Sequence, residues 1–335
     1  MPVTREDITY CTVTNKAGTK LGLTSLGATI TELVLPTGVD VVLGYKDVND
    51  YRTNPFYLGC SVGRVANRIK MATFVLDEKT YHVTANAPPN SLHGGTVGFN
   101  KANWCVADLG EQSVTMTLLS PSGDQGYPGT VETTVVYTLT DSNEVVIEYT
   151  AKLSPDGDQA TIINLTNHTY FNLDGKDTVL NHRLTVNSDM YTPLDSDLVP
   201  TGSIASVKGT FLDFTTPTLI GERIEAAGGY DINYVMKDNK IVHPSEPSLK
   251  HFATLKGSCT LKVYSDQPGV QLYTGNFLDG EQSGPGKDGR PLIKHGGVCL
   301  ETQACPNAIN IPGAEGQVIL RAGQVYKSKT LWEFS

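Results

Sequence analysis

The stretch Val131-Glu132-Thr133-Thr134-Val135-Val136-Tyr137-Thr138-Leu139-Thr140-Asp141-Ser142-Asn143-Glu144-Val145-Val146-Ile147-Glu148-Tyr149 decides the fold class. Val131, Thr133, Val135, Tyr137 and Leu139 recur at every second position, the period that puts side chains on one face of a strand. Asp141-Ser142-Asn143 supplies turn chemistry, and Val145, Ile147 and Tyr149 resume the alternation on a return strand. The prediction is an antiparallel hairpin with one buried face.

The same rhythm runs through the chain. Leu21 to Ile30 is interrupted by Gly22 and Gly27, Pro36-Thr37-Gly38 makes a turn, and Val41-Val42-Leu43 follows. Alternation returns at Leu261–Tyr264, Val270–Tyr273, Val298–Glu301 and Val318–Leu320, whereas a helical pattern fits only Glu222–Ala227. With 33 glycines and 18 prolines spread as punctuation and no βαβ rhythm, the expected architecture is mainly β, a sandwich of two large antiparallel sheets. No shift in composition marks a linker, so residues 1–335 are read as a single domain.

Composition excludes several classes of function. The balance of 26 basic and 35 acidic residues, −9 in formal charge, with no basic run, argues against nucleic acid or an anionic membrane as partner. Arg5, Glu6 and Asp7 stand where a leader would carry an apolar segment, and no later stretch approaches a membrane span. The cysteines at 11, 60, 105, 259, 299 and 305 form no CxxC pair, so free thiols in a reducing, cytoplasmic setting are expected and zinc is not.

The polar motifs point to a ligand. Thr161-Ile162-Ile163 reads as a strand entering Asn164-Leu165-Thr166-Asn167-His168-Thr169-Tyr170-Phe171-Asn172-Leu173, where His168 falls at a strand end among amides and rings. Asn164 and Asn167 match the glycosylation pattern, but without a leader they are read as pocket groups. Gly63-Arg64-Val65-Ala66-Asn67-Arg68-Ile69 spaces two arginines for one face of a helical turn or for a loop, with solvent as the default location. His93 precedes Gly94-Gly95, which fits a tight turn as well as close approach to a ligand. Asp231, after Gly228-Gly229-Tyr230, fits a turn cap as well as a binding group. Gln271 and Tyr273 share one strand face, as do Cys299 and Glu301, although a carboxylate ending a strand ordinarily faces solvent.

In combination, Asn67-Arg68, His93-Gly94-Gly95, Asn164–Leu173, Asp231, Gln271 and Leu300-Glu301-Thr302-Gln303 resemble the aldose 1-epimerase (galactose mutarotase) family, in order, from about Val41 to the C-terminus. The resemblance implies a large antiparallel β-sandwich that interconverts the α and β anomers of free hexoses such as galactose and glucose, without cofactor or metal. It implies Glu301 as general base on the C1 hydroxyl and His168 as general acid on the ring oxygen, with Arg68, His93, Asp231 and Gln271, and more weakly Asn67 and Tyr170, holding the sugar. A monomer or weak homodimer is expected. Ile232 and Cys305 depart from the common family pattern, at positions expected to bear on hexose preference. The nearby carboxylates are expected to raise the pKa of His168 and keep Glu301 ionised. Rival readings are a non-catalytic sugar-binding domain, a hexose-6-phosphate epimerase, which would want added cationic groups for phosphate, and a glycosidase built on Asp231 and Glu301.

Overall fold

The computed structural model describes residues 8–176, 178–236, 242–281 and 284–335. The N-terminal reading at Arg5, Glu6 and Asp7 lies outside them. The hairpin forms as the alternation predicts. Strands Val131–Leu139 and Glu144–Leu153 pair antiparallel, with Val135 opposite Tyr149, Tyr137 opposite Ile147 and Leu139 opposite Val145. All five alternating residues of the first strand are 0–1% exposed, which fixes the register because a slip of one residue would turn that face to water. Asn143 turns the chain in the left-handed region, φ 60°, a conformation asparagine tolerates.

This hairpin sits inside a ten-stranded sheet. From one edge the order is Thr218–Leu219, Arg183–Val186, Glu246–Lys256, Thr260–Ser265, Tyr326–Phe334, Glu144–Leu153, Val131–Leu139, Ser113–Ser120 and Cys105–Leu109, with Val242–His243 added to Glu246–Lys256. A six-stranded sheet runs Tyr170–Phe171, Val298–Gln303, Gly269–Tyr273, Asp231–Val235, Met190–Tyr191 and Ala205–Ser206. The two large sheets expected of a sandwich are therefore present. The main core gathers Val135, Ile147 and Trp332 of the first sheet with Val270, Leu272, Val298 and Leu300 of the second, and Phe171 meets Trp332 edge to face at 4.9 Å.

The remaining strand readings also hold, with Lys20–Thr24, Thr29–Val34, Thr260–Ser265 and Ile319–Arg321 observed, and the helical pattern yields one turn at Ile224–Ala227. Val41-Val42-Leu43 makes only an isolated bridge from Val42 to Phe171. Among the described residues no helix is long and apolar enough to cross a membrane, and all six cysteines are free.

Of the two alternatives at Gly63–Ile69 the loop holds and the helical turn does not, the segment leading from the strand Ser61–Val62 into Arg68–Ile69. Nor is Arg64 a surface charge. It is 2% exposed, and its Nη atoms donate to the carbonyls of Pro128, Gly129, Ser120 and Pro121 and to Ser120 Oγ. A guanidinium carries five donors in a fixed fork, so one residue can satisfy a cluster of loop carbonyls that would otherwise be buried unpaired.

Candidate active site

The inner face of the six-stranded sheet is apolar; its other face floors a pocket. The pairing aligns Tyr170, Cys299, Tyr273 and Asp231 in one row and Glu301, Gln271 and Asn233 in the next. Directly paired residues point to the same side of a sheet, so two rows of polar side chains drawn from four strands converge there. Above them, Arg68–Ile69 pairs with Ser91–Leu92 and carries Asn67 and His93 over the floor.

The resulting pocket has a volume of about 240 Å³, below the range of drug-sized sites and suited to a single small polar molecule. Asn67, Arg68, His93, His168, Tyr170, Asp231, Gln271 and Glu301 all line it. Pro55, Phe56, Tyr57, Leu92, Tyr273 and Phe277 complete the wall. Tyr273 shares the Gln271 face by period two, and the Phe56-Tyr57 pair after Pro55 is the aromatic signal the sequence offers for that side. Tyr57 stacks on His168 at 5.7 Å and lies 4.6 Å from His93.

Not every polar residue of the His168 stretch serves the pocket. Asn164 Oδ1 accepts from Ala304 N–H, Asn167 accepts from Thr169 N–H and donates to the Gly59 carbonyl, and Asn172 donates to the Lys176 and Gly296 carbonyls. The reading of Asn164 and Asn167 as pocket groups is thus overturned, because buried loop backbone claims their amides. Tyr170 lines the pocket with its ring while its hydroxyl donates to the Phe56 carbonyl at 2.8 Å. Ile232 packs in the main core and Cys305 in a second cluster around Phe74 and Tyr127, so neither family departure lines the pocket.

Asn67 and His93 lock each other in place. His93 N–H donates to the Asn67 carbonyl, Asn67 N–H donates to His93 Nδ1 at 3.2 Å, and Asn67 Oδ1 accepts from Arg68 N–H. Both residues have positive φ, 63° and 50°. Gly94 is required beside them because a Cβ there would strike the Gly63 carbonyl. With Nδ1 accepting, the neutral ring carries its proton on Nε2, making His93 a donor toward the pocket.

His168 Nε2 lies 3.7 Å from Glu301 Oε1. Glu301 is 2% exposed, and its Oε2 has no partner within the protein. Asp231 accepts from Gln271 Nε2 at 2.6 Å. Burial dominates the electrostatics and reverses the sequence expectation. It lowers the His168 pKa to about 4, with a ring contact to the residue's own backbone carbonyl in opposition. It raises Glu301 well above the carboxylate range, the Asp231 charge adding to the rise. Asp231 is also pushed up by burial, against Arg68 and Gln271, and His93 is pushed down by burial, His168 and Arg68. Desolvation penalises each charged form more than the neighbouring opposite charge restores.

Ring nitrogens of His93 and His168 and a Glu301 oxygen lie within 4.8 Å of one another, a proximity invisible in spacing because three distant segments supply it. The Nε2–H tautomer of His93 leaves no lone pair on the pocket side, so the trio is better suited to hydrogen bonding than to ligating a metal.

Residues 10–333 match the family model described as aldose 1-epimerase, a wider span than the motifs alone gave. The chain is 41% identical over 324 residues to galactose mutarotase of Homo sapiens, covering 94% of this chain and 91% of that one. It is 33% identical over 338 residues to aldose 1-epimerase of Escherichia coli (strain K12), covering 96% and 94%. The crystal structure of the GalM/aldose epimerase homologue from C. elegans superposes with a TM-score of 0.88 at 30% identity, covering 98% of this chain and 99% of that one. On the model match, the relatives and the superposition together, this chain belongs to the aldose 1-epimerase family.

Proposed function

We propose that this chain is an aldose 1-epimerase that interconverts the α and β anomers of free hexoses, galactose and glucose among them. The observation that carries the reading is the buried pair of His168 and Glu301, 3.7 Å apart, with one carboxylate oxygen left unpartnered in a pocket of monosaccharide size. Anomerisation needs two groups, since the C1 hydroxyl loses a proton while the ring oxygen gains one. Glu301 takes the first proton, and His168 delivers the second from Nε2. The C1–O5 bond breaks to the open aldehyde, C1–C2 rotates, and closure on the other carbonyl face reverses both transfers. Positioned proton transfer of this kind contributes about 10²–10⁴-fold per group.

The pKa order in the empty pocket fits such a cycle. Low for His168 and high for Glu301, it places the pair's single proton on Glu301, the state reached once the ring has opened. A sugar hydroxyl donating to Oε2 replaces lost solvation and favours the carboxylate, the state from which ring opening begins. Arg68, Asp231 and Gln271 hold sugar hydroxyls, His93 donates through Nε2–H, and Asn67 and Tyr170 shape the wall.

The reading includes one catalytic domain across the chain, a cytoplasmic location supported by six free thiols, and a monomer or weak homodimer, which sedimentation tests. Polarimetry on freshly dissolved α-D-galactose tests the activity: rotation should relax much faster with protein than without, and an unchanged rate would exclude the proposal. Dialysis against a chelator should leave that rate intact, because both proton transfers use side chains. A loss restored by one divalent ion would contradict the roles of His93 and His168.

A further inference from the structure

The two histidines of the pocket differ in what sits behind them. His93 Nδ1 faces a backbone N–H, which can only donate, at 3.2 Å. His168 Nδ1 faces Cys299 Sγ at 3.5 Å. Cys299 and His168 are both buried, and the thiol comes from the strand that also carries Glu301. The backbone carbonyl of His168 accepts from Gly59 N–H, so the group that stands behind the ring at Nδ1 is the Cys299 sulfur. A sulfur able to accept thus stands behind Nδ1 of His168, and an obligate donor behind Nδ1 of His93.

We infer that the pocket holds its histidines in opposite tautomers, His93 as Nε2–H and His168 as Nδ1–H, and that Cys299 is a positioning residue that keeps the Nδ1 proton of His168 in place. The consequence for chemistry rests on the proposed epimerase reaction. An imidazolium has protons on both nitrogens; when it gives the Nε2 proton to the ring oxygen, the neutral product is the Nδ1–H tautomer. Nδ1 keeps its proton throughout the cycle and needs an acceptor throughout. Sulfur is a weak acceptor, so it orients the ring without stabilising the imidazolium as a carboxylate would. That leaves His168 a strong acid, suited to a weakly basic ether oxygen. His93 cannot exchange roles with it, because loss of its Nε2 proton would leave no neutral form compatible with the Asn67 N–H.

Titratable groups packed around the His168 ring are Glu301, His93, Cys299 and the phenols of Tyr57, Tyr170 and Tyr273, so a pH profile alone would mix several contributions. Heteronuclear NMR of the imidazole nitrogens in the full chain reads the tautomers directly. The expected spectrum at neutral pH has His168 protonated on Nδ1 and bare on Nε2, with His93 the reverse. Cys299→Ala should give His168 a mixture of tautomers while His93 is unchanged, and should lower kcat by about tenfold, the lower end for loss of an orienting partner, with KM unchanged. Cys299→Ser should restore most of both, and Cys299→Asp should move the acid limb of the rate profile to higher pH.

A wild-type His168 protonated on Nε2 and bare on Nδ1, which a donating thiol would produce, overturns the inference. So does a Cys299→Ala enzyme with unaltered tautomer and kcat. If that variant fails to fold, the wild-type spectrum still decides. An inactive protein with the expected spectrum would remove the epimerase reading and leave the tautomer assignment standing.

Discussion

The larger cavity of this molecule is not the one with the chemistry. About 370 Å³ opens beside Asn172 and Gly296, against about 240 Å³ around His168. In the larger space two ion pairs stand: Lys287 Nζ pairs with Asp40 at 2.5 Å and donates to the Thr31 carbonyl, and Arg290 pairs with Asp288. In the smaller one a carboxylate is buried beside two imidazoles and a second carboxylate, with one oxygen unpartnered. Unmet hydrogen-bonding capacity in a buried carboxylate costs folding energy. Its retention marks a place where a ligand completes the set. Volume measures only what could enter.

Removing that carboxylate tests the contrast most severely. Glu301→Gln keeps shape and removes basicity, so anomerisation should fall by roughly two or more decades while sugar binding survives. The pH profile should change with it. In the wild type the pair binds one proton between the His168 value, about 4, and the raised value of Glu301. A bell follows, losing its base below about pH 4 and its acid where Glu301 deprotonates; both limbs belong to the pair as a unit. The variant has no base left to protonate, so it should lose the acid limb, and its residual rate should only fall as pH rises through the value of the lone His168. Most of the rate retained, or a wild-type profile rising without limit into alkali, would remove Glu301 from the mechanism.

The same substitution should raise stability. A carboxyl whose folded pKa exceeds its unfolded value contributes stability that is complete below the unfolded pKa and disappears as pH rises through the folded one. Glu301 is such a group. The melting temperature of Glu301→Gln should exceed that of the wild type, with a gap that widens from acid toward alkaline pH. A gap that closes over that range would show that burial does not set the Glu301 pKa.

Next in size come the groups that hold the sugar. Arg68→Ala or Asp231→Ala should weaken substrate capture by about 1.5–3 kcal/mol each, the usual worth of a hydrogen bond to a charged group. The check is kcat/KM for galactose, and two unchanged values would leave the pocket without its proposed anchors.

Arg68 and Arg64 also show how far the chain could be read unaided. Both stand four residues apart in one polar segment, and spacing treats them alike. Only the fold separates them, since the carbonyls that capture Arg64 lie 56–65 residues away in sequence, beyond any local pattern. Asn164 and Asn167 were misplaced for the same reason, since Ala304 and Gly59, whose backbone groups they bind, lie 140 and 108 residues away. The strands were legible because period two is local, as at Val131–Leu139. His168, Asp231, Gln271 and Glu301 stand out locally as polar groups among glycines, rings and strand residues, and only the family resemblance attached roles to them, whereas Phe277 and Tyr57 carried only a generic aromatic signal.

The smallest expected effect lies in the larger cavity. Asp40 does not depend on Lys287 alone, because its Oδ1 accepts from Leu33 N–H and Val42 N–H, and both charged side chains keep 27% of their surface exposed. Burial pulls the Lys287 pKa down while Asp40 pulls it up, so the ion pair is partly cancelled by what it cost to desolvate. Lys287→Met keeps the apolar stem and should cost about 1 kcal/mol, the upper part of the range for pairs that water still reaches. The rate of anomerisation should not move, since neither Lys287 nor its partners Asp40 and Thr31 line the His168 pocket. Chemical denaturation and polarimetry on the same preparation separate the two readouts. If Lys287→Met folds normally and yet loses activity tenfold or more, more than a lost pair of this kind could account for, the larger cavity takes part in function and matched charge is no guide to an idle site.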